Sequence, residues 1–158
     1  MIADLVEVSA SGLRLHLRGQ FGEAEIVSPL WGRFNAENLL VAAGILLQHG
    51  VPLPEAASAL SRCAAPAGRM QVVGAGADAP RVVVDFAHTP DGLQQALQAM
   101  RDHCGGVLTV VFGCGGERDA DKRALMGRVA AAFADRVIIT SDNPRGEEPR
   151  VIADAIVA

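Results

Sequence analysis

From residue 82 onward the chain alternates short apolar runs with longer stretches of helical character. Residues 82–85, 108–112 and 137–140 are the runs, built largely of Val, Ile, Leu and Phe, and each gap between them is long enough for a helix. A connection of that length is a crossover rather than a hairpin, and crossovers join parallel strands. Residues 82–85 open with three consecutive valines, which predicts a strand buried on both faces. Thr89 is placed to cap a helix that Pro90 starts and that runs to about His103. Further helices are expected over residues 121–134 and from about Glu148 onward. The fold class is therefore α/β, a doubly wound domain over the second part of the chain.

Before residue 65 the rhythm is different. Residues 4–9 and 13–18 alternate apolar and polar positions around Ser9-Ala10-Ser11-Gly12, which predicts a hairpin, with a short strand near residues 25–28. Asn35 is expected to cap an apolar helix over residues 36–49 that Gly50 and Pro52 close. A second short helix is expected over residues 54–62. Hairpin, helix, helix with no parallel repeat predicts the edge of another domain, so residues 1–66 and 67–158 are expected to be parts of two domains. No Gly, Asn or Pro closes the last helix. Both ends are accordingly expected to be truncations.

Composition narrows the partners. Half of the residues are hydrophobic and the net charge is −4, with signs interspersed. Nucleic acid and anionic membrane surfaces are therefore not expected partners. Apolar stretches such as residues 39–47 are too short to span a bilayer. No leader pattern opens the chain, and Cys63, Cys104 and Cys114 lack metal-ligand spacing. Reduced thiols and a cytoplasmic location are expected.

In an open parallel sheet, ligands bind beyond the carboxyl ends of the strands. Polar clusters fall at each of those ends: Asp85-Phe86-Ala87-His88-Thr89-Pro90, then Gly113-Cys114-Gly115-Gly116-Glu117-Arg118-Asp119 running on to Lys122-Arg123, then Asp142-Asn143-Pro144-Arg145. The last offers a carboxylate, an amide and a guanidinium around one turn, a set suited to a zwitterionic amino acid. Its bland alternative is a strand-to-helix turn. The glycines of the second cluster could let backbone N–H groups approach a phosphate, although Lys122 is followed by Arg123 and no Walker A loop is present. His88 beside Asp85 hints at acid–base work; a loop-bonding histidine is the alternative. Asn38, inside an apolar helix, could bond an adenine edge, and Arg69 could reach a nucleotide or be a solvated linker residue.

These residues resemble a known family. Gly32-Arg33-Phe34-Asn35-Ala36-Glu37-Asn38-Leu39-Leu40, Gly68-Arg69-Met70 and Val84-Asp85-Phe86-Ala87-His88-Thr89-Pro90-Asp91 are similar to the Mur ligases, ATP-dependent amide-forming enzymes of peptidoglycan synthesis. The second and third clusters, with Leu125-Met126-Gly127, narrow the resemblance to the MurE branch, which adds the third residue of the peptide stem. The resemblance implies the end of a central ATPase domain followed by a Rossmann-like C-terminal domain. It implies ATP contacts for Asn35, Asn38, Arg69 and Asp85. It implies that Arg118, Asp142, Asn143 and Arg145 hold the incoming amino acid, meso-diaminopimelate, which joins UDP-N-acetylmuramoyl-L-alanyl-D-glutamate. His88 and Lys122 are further possible site residues. Phe86 stands where the family often has Tyr, and Glu117 where Asp is usual.

The family's P-loop, carbamylated lysine, Mg2+ ligands and UDP-binding domain have no counterpart in this sequence. The missing N-terminal and central parts are thus implied partners, with ATP and Mg2+ as cofactors whose ligands lie outside the chain. The chain alone is expected to be inactive. Two other readings compete: a folylpolyglutamate or cyanophycin synthetase of the same superfamily, and a freestanding, non-catalytic amino-acid- or nucleotide-binding module or gene remnant.

Overall fold

The structure is a computed structural model that describes residues 2–74 and 80–158. Its contacts divide the chain into two compact units, residues 1–86 and 87–158. The first contains strands β1 (Ile2–Ser9), β2 (Gly12–Gly19) and β3 (Gly22–Ser28), helices α1 (Phe34–Gln48) and α2 (Leu53–Ser61), and strands β4 (Gln71–Val73) and β5 (Val82–Val84). The second contains α3 (Pro90–His103), β6 (Thr109–Phe112), α4 (Asp121–Phe133), β7 (Arg136–Ile139) and α5 (Pro149–Val157).

In the first unit the expected hairpin forms and extends to an antiparallel β1-β2-β3 sheet, with Ser9 opposite Gly12 across a two-residue turn. Gly12 has φ +131°, and a Cβ there would lie 2.1 Å from the Ser28 carbonyl oxygen, so the turn takes no other residue without moving β3. Alternation puts Leu13, Leu15 and Leu17 on one face, where they are buried with Ile26. That face meets Ala36, Leu39, Ala43 and Leu47 of α1, which recur at helical spacing, and Leu53, Ala57 and Leu60 of α2.

Two expectations for this unit are corrected. Helix α1 starts at Phe34, with Arg33 in the cap position and no side-chain cap, so Asn35 lies in the first turn rather than capping it. The Gly32 bend at φ +91° lets the turn close early: Asn35 and Ala36 donate backbone N–H bonds to Gly32 and Arg33. Val82–Val84 is not a parallel strand buried on both faces. It pairs antiparallel with Gln71–Val73, Val83 opposite Val72, and Val82 and Val84 remain exposed. A three-residue strand can satisfy its backbone on its sequence neighbour, and that local pairing takes precedence over the crossover.

In the second unit the crossover pattern appears as expected. β6 and β7 pair in parallel, with Val111 opposite Ile138, and α4 connects them. Thr89 caps α3 by accepting the Gly92 N–H at 3.1 Å, with Pro90 at the first helical position. One face of the strand pair carries Val110, Phe112 and Ile139 into a core with Leu93, Leu97, Met126, Ala130, Ile152 and Ile156. Val111 and Ile138, pointing the other way, are exposed.

Asp135 anchors the turn between α4 and β7. Its carboxylate accepts from Arg101 Nη1 at 3.0 Å and from the Leu108 N–H at 2.7 Å. The Arg101 bond, then the Leu108 bond, hold its pKa below the ordinary 3.8. A carboxyl depressed on folding contributes stability that is complete above the unfolded value and is lost as pH falls through the folded one. Urea unfolding of wild type and Asp135→Asn should therefore differ most at neutral pH. The two midpoints should converge as pH is lowered below the ordinary carboxylate range of about 4. A gap that widens on acidification would reject this anchoring role.

Candidate functional site

Each of the two loops at the carboxyl ends of β6 and β7 is shaped by the other. A Cβ on Gly113 would lie 2.2 Å from the Thr140 carbonyl oxygen, and one on Gly116 would lie 1.9 Å from that of Pro144. Glycine is thus required because backbone passes directly against backbone. The Gly116 N–H donates to the Asn143 carbonyl at 2.9 Å, and Arg145 Nη1 donates back to the Gly116 carbonyl. Glu117 (φ 52°) and Arg145 (φ 49°) occupy the left-handed region, one on each loop. Such conformations cost a residue with a Cβ roughly 1 kcal/mol or more and persist where surrounding bonds fix them.

On the Glu117 side the fixing bond runs to Glu147. Its carboxylate accepts from Arg123 through both terminal nitrogens, at 2.9 and 2.8 Å, and from the Glu117 N–H. The Arg123 side chain is 5% exposed, against 31% for Glu147. Arg123 also reaches the Gly115 carbonyl at 3.4 Å, while its Nε is buried without a hydrogen-bond partner among the described residues. The Arg123 hydrogen bond, followed by the Glu117 N–H, holds the Glu147 carboxyl below the usual carboxylate range. The motifs alone do not single out these two residues as a pair. A signal is nonetheless present: Arg123, Met126 and Ala130 share one buried stripe of α4, and a buried arginine requires a partner.

The residues expected to hold an amino acid lie on these loops. The vacant Cβ position of Gly115 is 3.0 Å from Arg145 Nη1 and 3.9 Å from Arg118 Cγ, so the two arginines flank one glycine. Arg118, Asp142, Asn143 and Arg145 are all exposed at the loop surface. The phosphate reading of this loop fares differently. The N–H groups of Gly116 and Glu117 are already bonded to Asn143 and Glu147, so these two amides form no anion cradle. Cys114 is buried against Met126 at 3.8 Å, and burial raises its thiol pKa, which makes it a core residue rather than a nucleophile. Lys122 donates from Nζ to the His88 carbonyl at 2.8 Å, tying the start of α4 to the loop before α3.

The other candidates lie in the first unit. Asn35 donates to the Trp31 carbonyl at 2.7 Å and accepts from Asn38 at 2.9 Å, so the two amides form one short chain. The Asp85 carboxylate accepts the Met70 N–H at 2.9 Å, holding the turn Gly68-Arg69-Met70 to the end of β5. The Arg69 guanidinium lies 5.1 Å from the centroid of the Phe86 ring, a cation–π contact. Among the described residues no helix is long and apolar enough to cross a membrane.

A parallel strand pair joined by a helix, with a glycine run and two arginines on its terminal loops, is an α/β arrangement, and comparison with known proteins gives its family. Residues 68–158 match the family described as Mur ligase, glutamate ligase domain. The chain belongs to that family. It is 49% identical over 161 residues to the UDP-N-acetylmuramoyl-L-alanyl-D-glutamate–2,6-diaminopimelate ligase of Synechococcus sp. (strain WH7803), covering 99% of this chain and 32% of that protein. The protein of the same name from Prochlorococcus marinus is 47% identical, over 96% of this chain and 30% of its own. A solved structure of a ligase with this name superposes with a TM-score of 0.70 at 40% identity, covering 98% of this chain and 31% of that one. The UDP-N-acetylmuramate-alanine ligase of Thermotoga maritima shares the fold alone, at 18% identity and a TM-score of 0.76, over 98% of this chain and 34% of that one. The chain spans about a third of the length of the curated relatives it matches.

Proposed function

We propose that this chain supplies the amino-acid-binding part of an ATP-dependent ligase that adds meso-diaminopimelate to UDP-N-acetylmuramoyl-L-alanyl-D-glutamate in the cytoplasm. The observation that carries this reading is the pairing of Arg118 and Arg145 around Gly115, with Asp142-Asn143 on the facing loop. Two guanidiniums suit the carboxylates of diaminopimelate, and Asp142 suits its ammonium. L-Lysine carries no side-chain carboxylate, so the same arginines would discriminate against it. In the reaction the D-glutamate γ-carboxylate attacks the γ-phosphate of ATP, releasing ADP. The diaminopimelate amine then displaces phosphate from the acyl phosphate and loses a proton as the amide forms. Asn35 and Asn38 are proposed to face the adenine, and Arg69 and Asp85 the ribose and phosphates. His88 and Lys122 are further candidates. Residues 1–66 would then be the end of the ATP-binding domain and residues 67–158 part of the C-terminal one.

Nothing in the sequence matches a loop that grips a γ-phosphate, so the isolated chain should not ligate. The test is a chimera in which this chain replaces the matching third of the Synechococcus protein. Supplied with ATP, Mg2+ and the UDP-linked dipeptide, it should incorporate diaminopimelate at least about 100-fold more efficiently than L-lysine, a gap of the size that unpaired charges enforce. Equal use of lysine, or turnover by the isolated chain, would reject the reading.

A further inference from the structure

We infer that Arg123 and Glu147 form a positioning pair that fixes the two arginine-bearing loops in their ligand-ready geometry, a role that rests on the assignment of Arg118 and Arg145 as amino-acid ligands. Neither member of the pair needs to touch the ligand. Glu147 lies two residues beyond Arg145, and the amide it accepts belongs to Glu117, the neighbour of Arg118. Arg123 rises from the buried stripe of α4, so one end of the link is rooted in the core. The bidentate fork fixes direction as well as distance, which a single-point ammonium would not.

The geometry explains why both loops tolerate left-handed residues. Glu117 and Arg145 each carry a Cβ in a conformation that favours glycine, and each takes part in one of the contacts that Glu147 and Gly116 make across the gap. The Glu117 side chain also reaches across to the second loop, its Oε1 lying 2.6 Å from the vacant Cβ position of Gly146. Releasing the Arg123–Glu147 link frees Glu117 and Arg145 to relax toward ordinary backbone angles. That rotates the Arg118 and Arg145 side chains away from their shared position over Gly115.

Glu147→Gln keeps the shape and one acceptor while removing the charge; Arg123→Lys keeps the charge while removing the fork. In both variants of this chain, amide hydrogen exchange should rise about tenfold at residues 115–118 and 143–147, with α3, β6 and β7 unchanged. In the chimera, KM for diaminopimelate should rise about 10- to 100-fold, with KM for ATP unchanged and kcat within about twofold. Glu147→Asp, which retains the charge, should recover part of that loss. Exchange that rises equally throughout the second unit would make the pair a general stabiliser and overturn the proposal, as would an unchanged diaminopimelate KM. A wild-type chimera that ignores diaminopimelate would reject the ligase reading instead, while local exchange would still decide whether the pair pins these loops.

Discussion

Gly127→Ala should unfold the second unit about 3 kcal/mol more easily, the upper range for forcing an extra carbon into a packed site. A Cβ on Gly127 would lie 1.8 Å from the Ile156 carbonyl oxygen and 3.0 Å from its carbonyl carbon. That obstacle is backbone and cannot swing aside as a flexible side chain would. Ile156 is 2% exposed, so α5 cannot retreat without opening the core it shares with Met126. For a unit of this size the thermal midpoint should fall on the order of 10–20 °C. Gly44 provides the control, because it lies within α1 with nothing inside 4 Å of its vacant Cβ position. Gly44→Ala should raise stability by about 0.5–1 kcal/mol through helix propensity alone. The two changes are chemically identical and should have opposite signs. Calorimetry showing Gly127→Ala as mild as Gly44→Ala would mean that α4 and α5 do not cross where described.

Arg145→Ala should lower kcat/KM for diaminopimelate in the chimera by at least about 100-fold, or about 2.7 kcal/mol. The arginine contributes one end of a charge-assisted contact to the ligand and, through Nη1, a bond to the Gly116 carbonyl that holds the loops together. Arg145→Lys should recover less than about tenfold of the loss, since an ammonium cannot serve a carboxylate and that carbonyl with one planar fork. The loss should fall on KM for diaminopimelate rather than on KM for ATP. If Arg145→Ala binds diaminopimelate as wild type does, Arg145 is only a turn residue.

The second unit was legible because its signals are local. Thr89-Pro90 at a helix start, β-branched runs at two strands and a crossover between them each depend on neighbours in sequence, and each appears where expected. Two failures came from competition that pattern alone does not resolve. The valines of β5 fit a buried parallel strand or an exposed ribbon equally well, and pairing with β4 decided between them. Asn35 has the right side chain for a cap, yet the helix starts two residues earlier than expected, after the Gly32 bend. In the candidate site, Arg118, Asp142, Asn143 and Arg145 could be grouped from motif residues at successive strand ends. Glu147 could not, because its importance depends on a pairing 24 residues away in sequence. The buried arginine on α4 was the visible half of that pair.

The Glu117 N–H that Glu147 occupies has an entropic consequence. A glycine-rich loop ordinarily loses conformational freedom at the moment it closes on an anion, and the affinity of that anion is reduced accordingly. Here the closing anion is an internal carboxylate, so the ordering takes place during folding. A ligand reaching these loops meets backbone that has already lost its freedom. Its affinity can then reflect the contacts it makes rather than the disorder it must remove.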